Sequence, residues 1–221
     1  MNIPRQALTA AAAGSVAMMM LGAAVWSLAS PAAAQNVIDE WDSVKAPPPP
    51  TLRSVTLDAK KTVYMVLDFR SPACTPDTRP RCANALPKVQ KLLAEARAKG
   101  MMIVHTTTTR STPDEIPEVL KPLPGEPVMR TAMDKMSAPK FAESLKAKGI
   151  DTVLISGTSG NNAVFNTTVG AVQRGFKAVV PVDTMPSDGA YQEQFAVWQI
   201  ANGSTLRENA TVTRSDMVTI K

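Results

Sequence analysis

The sequence predicts an α/β fold: a three-layer sandwich with a central, mostly parallel sheet covered on both faces by helices. Three observations predict it. First, mostly apolar runs of strand length occur at 62–69, 101–107, 151–156 and 177–183, without the polar alternation of a half-exposed strand. Second, helix-spaced segments separate these runs, several closed by a glycine at 100, 149 or 175. Third, strands alternating with helices in this way favour parallel pairing through crossover connections. In such sheets, sites collect where loops leave the C-terminal ends of the strands.

The first 34 of the 221 residues read as an export signal. Arg5 supplies a short positive region, Leu8 to Ala29 form an uncharged Ala/Met/Leu run, and Ala32-Ala33-Ala34 before Gln35 form a small-residue cleavage pattern. An uncleaved anchor is the competing reading, because the run is long enough to span a bilayer. Cleavage would release the protein to the periplasm or outside the cell, with no stable membrane insertion. Residues 35–60 follow as a proline-rich arm, with four prolines at 47–50 favouring extended polyproline II and Trp41 as its expected anchor. Residues 61–221 are the expected folded domain, long enough for one sizeable core.

Within it, "TVYMVLDF" at 62–69 is the first core strand. "SPACTPDTRPRC" holds the only two cysteines, Cys74 and Cys82, which an oxidising compartment would join in a short disulfide loop. A helix is predicted over 83–100 from Leu86, Val89, Leu92, Leu93 and Ala96, and a strand over 101–107. Residues 108–126 form a long proline-studded loop of the kind that helps build sites. "PVMRTAMDK" reads as a short strand plus loop, and 138–149 as a helix with Phe141 and Leu145 on its apolar side. Strand 151–156, helix 162–175, strand 177–183 and helix 188–201 follow, and "ATVT" with a short closing turn ends the chain.

Composition excludes some functions. Removing Arg5 with the leader lowers the net charge from +5 to about +4, and the positives are scattered singly with few aromatics. That is no footprint for nucleic acid, although it mildly favours small anions. One histidine, His105, and two cysteines without close spacing make a poor metal set. His105 lies within a strand and reads as a packed, hydrogen-bonded core residue. No metal and no other cofactor are expected.

Three places project onto the C-terminal strand edge. Asp68 ends the first core strand among apolar neighbours, an environment that disfavours its charge unless a cation compensates. Lys135 precedes the second helix and is the available cation. "GTSGNNAVFNT" at 157–167 turns on glycine into a helix whose first N–H groups and positive dipole end suit an anion.

Together these resemble the isochorismatase-like hydrolases, also called the cysteine hydrolase or nicotinamidase-related superfamily. The resemblance covers residue 62 to about 215 and rests on "YMVLDF", "KMSAPKF" and "GIDTVLISGTSGNNAVFNTTVGAVQRGFKAVVPVD". It implies a parallel α/β sandwich, a small-molecule substrate and homo-oligomers of two or more copies. Family cysteine enzymes use an Asp, a Lys and a Cys; Asp68 and Lys135 match the first two, and the cysteine position falls on Ala163. Thioester chemistry is therefore not expected. A branch without the cysteine carries a small residue there and cleaves a vinyl ether by acid catalysis. A protonated Asp68 would suit such an acid, and an ionised Asp68 beside Lys135 would suit a base that activates water. The sequence admits both.

Asn161, Asn162 and Ser159, with the Ala163 N–H, are the expected oxyanion or substrate donors, and the resemblance implies a cis peptide just before this helix. Thr158 and Ser159 lack an evident base of their own and are poor substitute nucleophiles. Arg70, two residues past Asp68 on an extended strand, would share its side and hold an anionic substrate. Arg79 and Arg81 are further candidates. The functional expectation is an exported hydrolase lacking the cysteine, with a non-catalytic binder of the same fold as the alternative.

Overall fold

The computed structural model describes residues 36–221. The leader lies outside the described residues. Contacts divide the chain into two units, Met1–Pro47 and Pro48–Lys221. In the first, Asn36 caps a run of turns: its Oδ1 accepts from the Ile38 N–H at 2.9 Å. Val37, Ile38, Trp41 and Val44 are exposed there.

The second unit opens with β1 (Val55–Leu57) and β2 (Thr62–Leu67). Helix α1 (Pro80–Ala98), β3 (Met102–Thr107), β4 (Val128–Arg130) and α2 (Phe141–Ala147) follow. Then come β5 (Thr152–Gly157), α3 (Phe165–Gln173), β6 (Lys177–Pro181), α4 (Ala190–Asn202) and α5 (Leu206–Asn209). Strands β7 (Ala210–Thr213) and β8 (Val218–Ile220) end the chain. Residues 48–60, read from sequence as the end of the arm, belong to this unit. β1 pairs in parallel with β8, and Leu52 packs on the core.

Six strands form one parallel sheet in the order β4-β3-β2-β5-β6-β7. Buried alternation divides its two faces. Tyr64, Val66, Ile103 and Leu154 meet Val89, Leu92, Leu93 and Ala96 of α1. Val63, Met65, Val104, Val153 and Ile155 meet side chains of α2, α3 and α4. Each such fully buried aliphatic side chain contributes about 1.5–3 kcal/mol. These two apolar layers are why the central runs lack polar alternation.

Helix α1 begins three residues before the expected start, because Pro80 is compatible with a first helical turn, where its missing N–H costs nothing. Strand order reverses between β2 and β5, which places a topological switch point between them. Their ends approach closely. The Thr158 N–H bonds Leu67 O at 3.0 Å, and a Cβ at Gly157 would stand 2.5 Å from the Leu67 Cβ. Glycine is needed there for the strands to close.

Candidate functional site

Asp68 leaves β2 with φ at +54°, a left-handed conformation that Asp adopts more readily than most residues. This breaks the strand alternation after Leu67. The carboxylate consequently reaches the α3 side of the sheet, where it is 7% exposed. Its Oδ2 lies 2.7 Å from Lys135 Nζ, and its Oδ1 accepts from Thr106 Oγ1 at 2.7 Å. The Asp68 N–H bonds Thr106 O at 3.2 Å, so one residue of β3 fixes both the backbone and the side chain of Asp68.

Lys135 is itself 1% exposed. It opens a short 3-10 turn, Lys135–Ser137, capped by Asp134, whose Oδ1 accepts the Met136 N–H at 2.8 Å. Helix α3 holds this turn. Thr167 Oγ1 accepts the Lys135 N–H at 3.2 Å, and Arg174 pairs with Asp134 at 3.1 Å. The Asp134 carboxylate occupies the space that a Cβ at Gly170 would need. Lys135 Nζ also donates to Thr131 O at 3.3 Å, which leaves one of its three N–H groups uncommitted by these bonds. Removing one partner of so buried a pair typically costs about 3–5 kcal/mol, because the other charge is stranded.

On the other side of the switch point, β5 runs through a cis Thr158–Ser159 peptide into a π-helical turn, Gly160–Val164, and then α3. Ala163 lies in this turn, 4% exposed. Four N–H groups of this turn, Ala163 not among them, are engaged. Gly160 N–H donates to Pro186 O at 3.2 Å, Asn161 N–H to Ser187 Oγ at 3.4 Å, and Asn162 and Val164 N–H to Ser159 O at 3.1 and 3.3 Å. The Asn161 Oδ1 accepts from Ser187 Oγ at 3.2 Å, while the Asn162 carbonyl accepts from Asn166. Thr158 Oγ1 is buried without a partner.

The arginines stand elsewhere. Arg70 was placed beside Asp68 on the premise of an extended strand, which the left-handed Asp68 removes. Its guanidinium instead pairs with Glu115 at 2.6 Å. Arg79 pairs with Asp188 at 2.7 Å, and Arg81 with Glu193. Cys74 and Cys82 are joined, the latter inside the first turn of α1. His105 faces away from Thr106, and its Nε2 lies 3.0 Å from Glu126, which Arg97 clasps with two bonds of 2.8 Å. Burial pushes the His105 imidazole below its ordinary pKa, outweighing the pull of Glu126. Among the described residues, no group of three or more His, Cys, Asp or Glu side chains is placed to hold a metal.

The assembled corner is therefore an acid–base pair at a switch point, with an ordered turn opposite. The family model described as Isochorismatase domain matches residues 62–216. The chain belongs to the isochorismatase family. A curated relative, maleamate amidohydrolase of Pseudomonas putida, is 26% identical over 149 residues, covering 55% of this chain and 70% of the relative. An isochorismatase family protein from Desulfovibrio vulgaris shares the fold at a TM-score of 0.62 and 19% identity, over 71% of this chain and 95% of its own. N-carbamoylsarcosine amidase from Thermoplasma acidophilum superimposes with a TM-score of 0.59 at 19% identity, over 71% and 97%. The parallel six-stranded sheet of this isochorismatase-family chain is thus a shared architecture.

Thr106 and Thr167, which tie Asp68 and Lys135 into place, were missed from sequence. The signal was there for Thr106, since the strand alternation could have set it beside the end of β2. Thr167 contacts a turn 32 residues away, which no local pattern encodes.

Proposed function

We propose that this chain is an exported isochorismatase-family hydrolase that works without a cysteine nucleophile, with Asp68 as the base that activates water against a small anionic substrate. The observation that carries the reading is the pair of donors on Asp68. Lys135 Nζ holds one oxygen and Thr106 Oγ1 the other, each at 2.7 Å. Lysine can only donate, so the arrangement suits a carboxylate ready to accept a proton rather than an acid ready to give one. Asp68 takes a proton from water, the hydroxyl oxygen bonds to the electrophilic carbon, and the bond from that carbon to the leaving atom breaks as Asp68 passes the proton to the leaving atom. The uncommitted Lys135 N–H is suited to the negative charge that develops on the substrate oxygen.

Ala163 stands at the position the resemblance assigns to the family's cysteine, which supports attack by water. The relative's name, maleamate amidohydrolase, makes carboxylate-bearing amides the first class to test, with esters and vinyl ethers beside them. Arg70 is committed to Glu115, so a substrate carboxylate would have to compete for it; Asn161, Asn162 and Ser159 are the remaining polar candidates. No cofactor is required by this chemistry. Residues 1–34 support export, and a purified mature form that begins at Gln35 is the expected product.

Turnover of one of these classes by the purified protein, without a covalent intermediate by mass spectrometry, is the expected result. Asp68→Asn should then lower the rate by about 10²–10⁴-fold while the circular dichroism spectrum is unchanged. A trapped acyl-enzyme, or full activity in Asp68→Asn, overturns the reading. A second reading, a non-catalytic binder, is favoured by the engagement of four N–H groups in the 160–164 turn. It predicts saturable binding without turnover for the same compounds.

A further inference from the structure

We propose that a cavity lined by none of Asp68, Lys135 and Ala163 is a second small-molecule site, whose ligand is a small zwitterion bearing a carboxylate and an ammonium group, as an α-amino acid does. The cavity has a volume of about 230 Å³ and is walled by Arg81, Asn84, Lys88, Asp183, Pro186 and Glu193. It lies between the first half of α1, the turn after β6 and the start of α4. A volume below the roughly 300–1,000 Å³ of pockets for drug-sized molecules restricts the ligand to a few heavy atoms around its charged groups.

Charge decides the class. Arg81 and Lys88 share the cavity with Asp183 and Glu193. A simple anion would meet two carboxylates, and a simple cation two bases. A ligand carrying both signs can turn its carboxylate to Arg81 and Lys88 and its ammonium to Asp183 and Glu193. The cavity also keeps unfilled capacity for it. Lys88 Nζ stands 3.8 Å from Asp183 Oδ2, too far for a hydrogen bond, and the Lys88 side chain is 52% exposed.

The inner wall of this cavity leads to the turn that carries Ala163. Glu193 Oε1 accepts from Arg81 Nε at 2.8 Å and from the Ser187 N–H at 2.9 Å. Ser187, 1% exposed, passes its Oγ proton to a bond with Asn161 Oδ1 at 3.2 Å and accepts the Asn161 N–H at 3.4 Å. Pro186 O holds the Gly160 N–H, and the Met185 carbonyl fills the space that a Cβ at Gly160 would occupy. Residues 185–187 are thus the template for the 160–164 turn, and Glu193 fixes that template. A ligand carboxylate that draws Arg81 from Glu193 alters the acceptor holding Ser187, so occupancy is felt at Asn161.

The test is a titration of the purified protein with glycine, L-alanine, acetate and methylammonium, following the amide NMR signals of Ser187 and Asn161. Glycine or L-alanine should give saturable shifts at both. Acetate and methylammonium should each bind about tenfold more weakly, having lost one charged contact. Lys88→Ala, at an exposed position, should weaken amino-acid binding by a similar factor and leave the rest of the spectrum in place. No saturable shift with either amino acid, or acetate binding as well as they do, overturns the site. Binding that leaves Asn161 unmoved overturns the coupling. None of these readouts requires turnover, so they stand or fall apart from the chemistry proposed for Asp68.

Discussion

Neighbouring residues of β3 serve two buried charge clusters on opposite sides of the sheet. Thr106 faces Asp68 and Lys135; His105 faces Glu126 and Arg97. The Glu126 carboxylate receives bonds from Arg97 Nε, an Arg97 terminal nitrogen and the Leu123 N–H, and contacts His105 as well. The Glu126 carboxylate is fully engaged, while His105 Nδ1 is buried without a partner. Asp68 has two donors and Lys135 keeps a third N–H, at the switch point between β2 and β5. The difference is between a carboxylate filled by its neighbours and a pair with one N–H to spare, which is what the role proposed for Asp68 requires.

Several substitutions break or sharpen this contrast. The largest stability effect is expected for Lys135→Met, which strands the Asp68 carboxylate and should cost about 3–5 kcal/mol in urea unfolding. A loss below about 1 kcal/mol would mean that the pair is solvated in solution. Glu126→Gln comes next. It should cost about 1.5–3 kcal/mol through weakened charged hydrogen bonds and leave activity unchanged. A loss of activity with the fold intact would erase the distinction between the two clusters.

The pH dependence sharpens it further. Although burial raises it, hydrogen bonds led by Arg97 hold the Glu126 carboxyl down at about 2. Its stabilisation is therefore present above the unfolded carboxyl value, about 4.3, and is lost as pH falls towards 2. His105, pushed down by burial, binds its proton more readily unfolded, so its contribution fades as pH drops below about 6.5. Melting temperature against pH should show both slopes, and Glu126→Gln should remove the lower one. The smallest expected effect is at Thr106. Thr106→Val should cost about 0.5–1.5 kcal/mol and lower activity, whereas Thr106→Ser retains the donor and most of the rate.

What was readable in the sequence was what local pattern encodes. The apolar runs located the four central strands of the main sheet except for small shifts at their ends, because burial on both faces writes itself into consecutive residues; the edge strands β4 and β7 carry no such run. Asp68 and Lys135 were found for the same reason: each stands at the end of a recognisable segment. Two things were not readable. The left-handed backbone of Asp68 turns its side chain away from Arg70, and that premise failed within a span of two residues. The partners of Arg70 and Lys135, namely Glu115 and Thr167, lie 45 and 32 residues along the chain, where only the folded sheet brings them together. The engaged amides of Gly160 and Asn161 belong to the same class, since Pro186 and Ser187 supply their acceptors.

The pairing of β1 with β8 has a consequence for how the second unit opens. Three residues at its beginning are matched to three at its end, reinforced by Ala59 N–H to Lys221 O and Lys221 N–H to Leu57 O, each at 2.9 Å. This clasp forms a small sheet apart from the six-stranded one and can come undone without unpicking it. Detaching either tail removes the other's strand partner, while Leu52 stays tied to the main sheet through the Arg53 N–H to Val212 O bond at 3.2 Å. The two tails are thus a single point of fraying, stitched from both ends of the second unit.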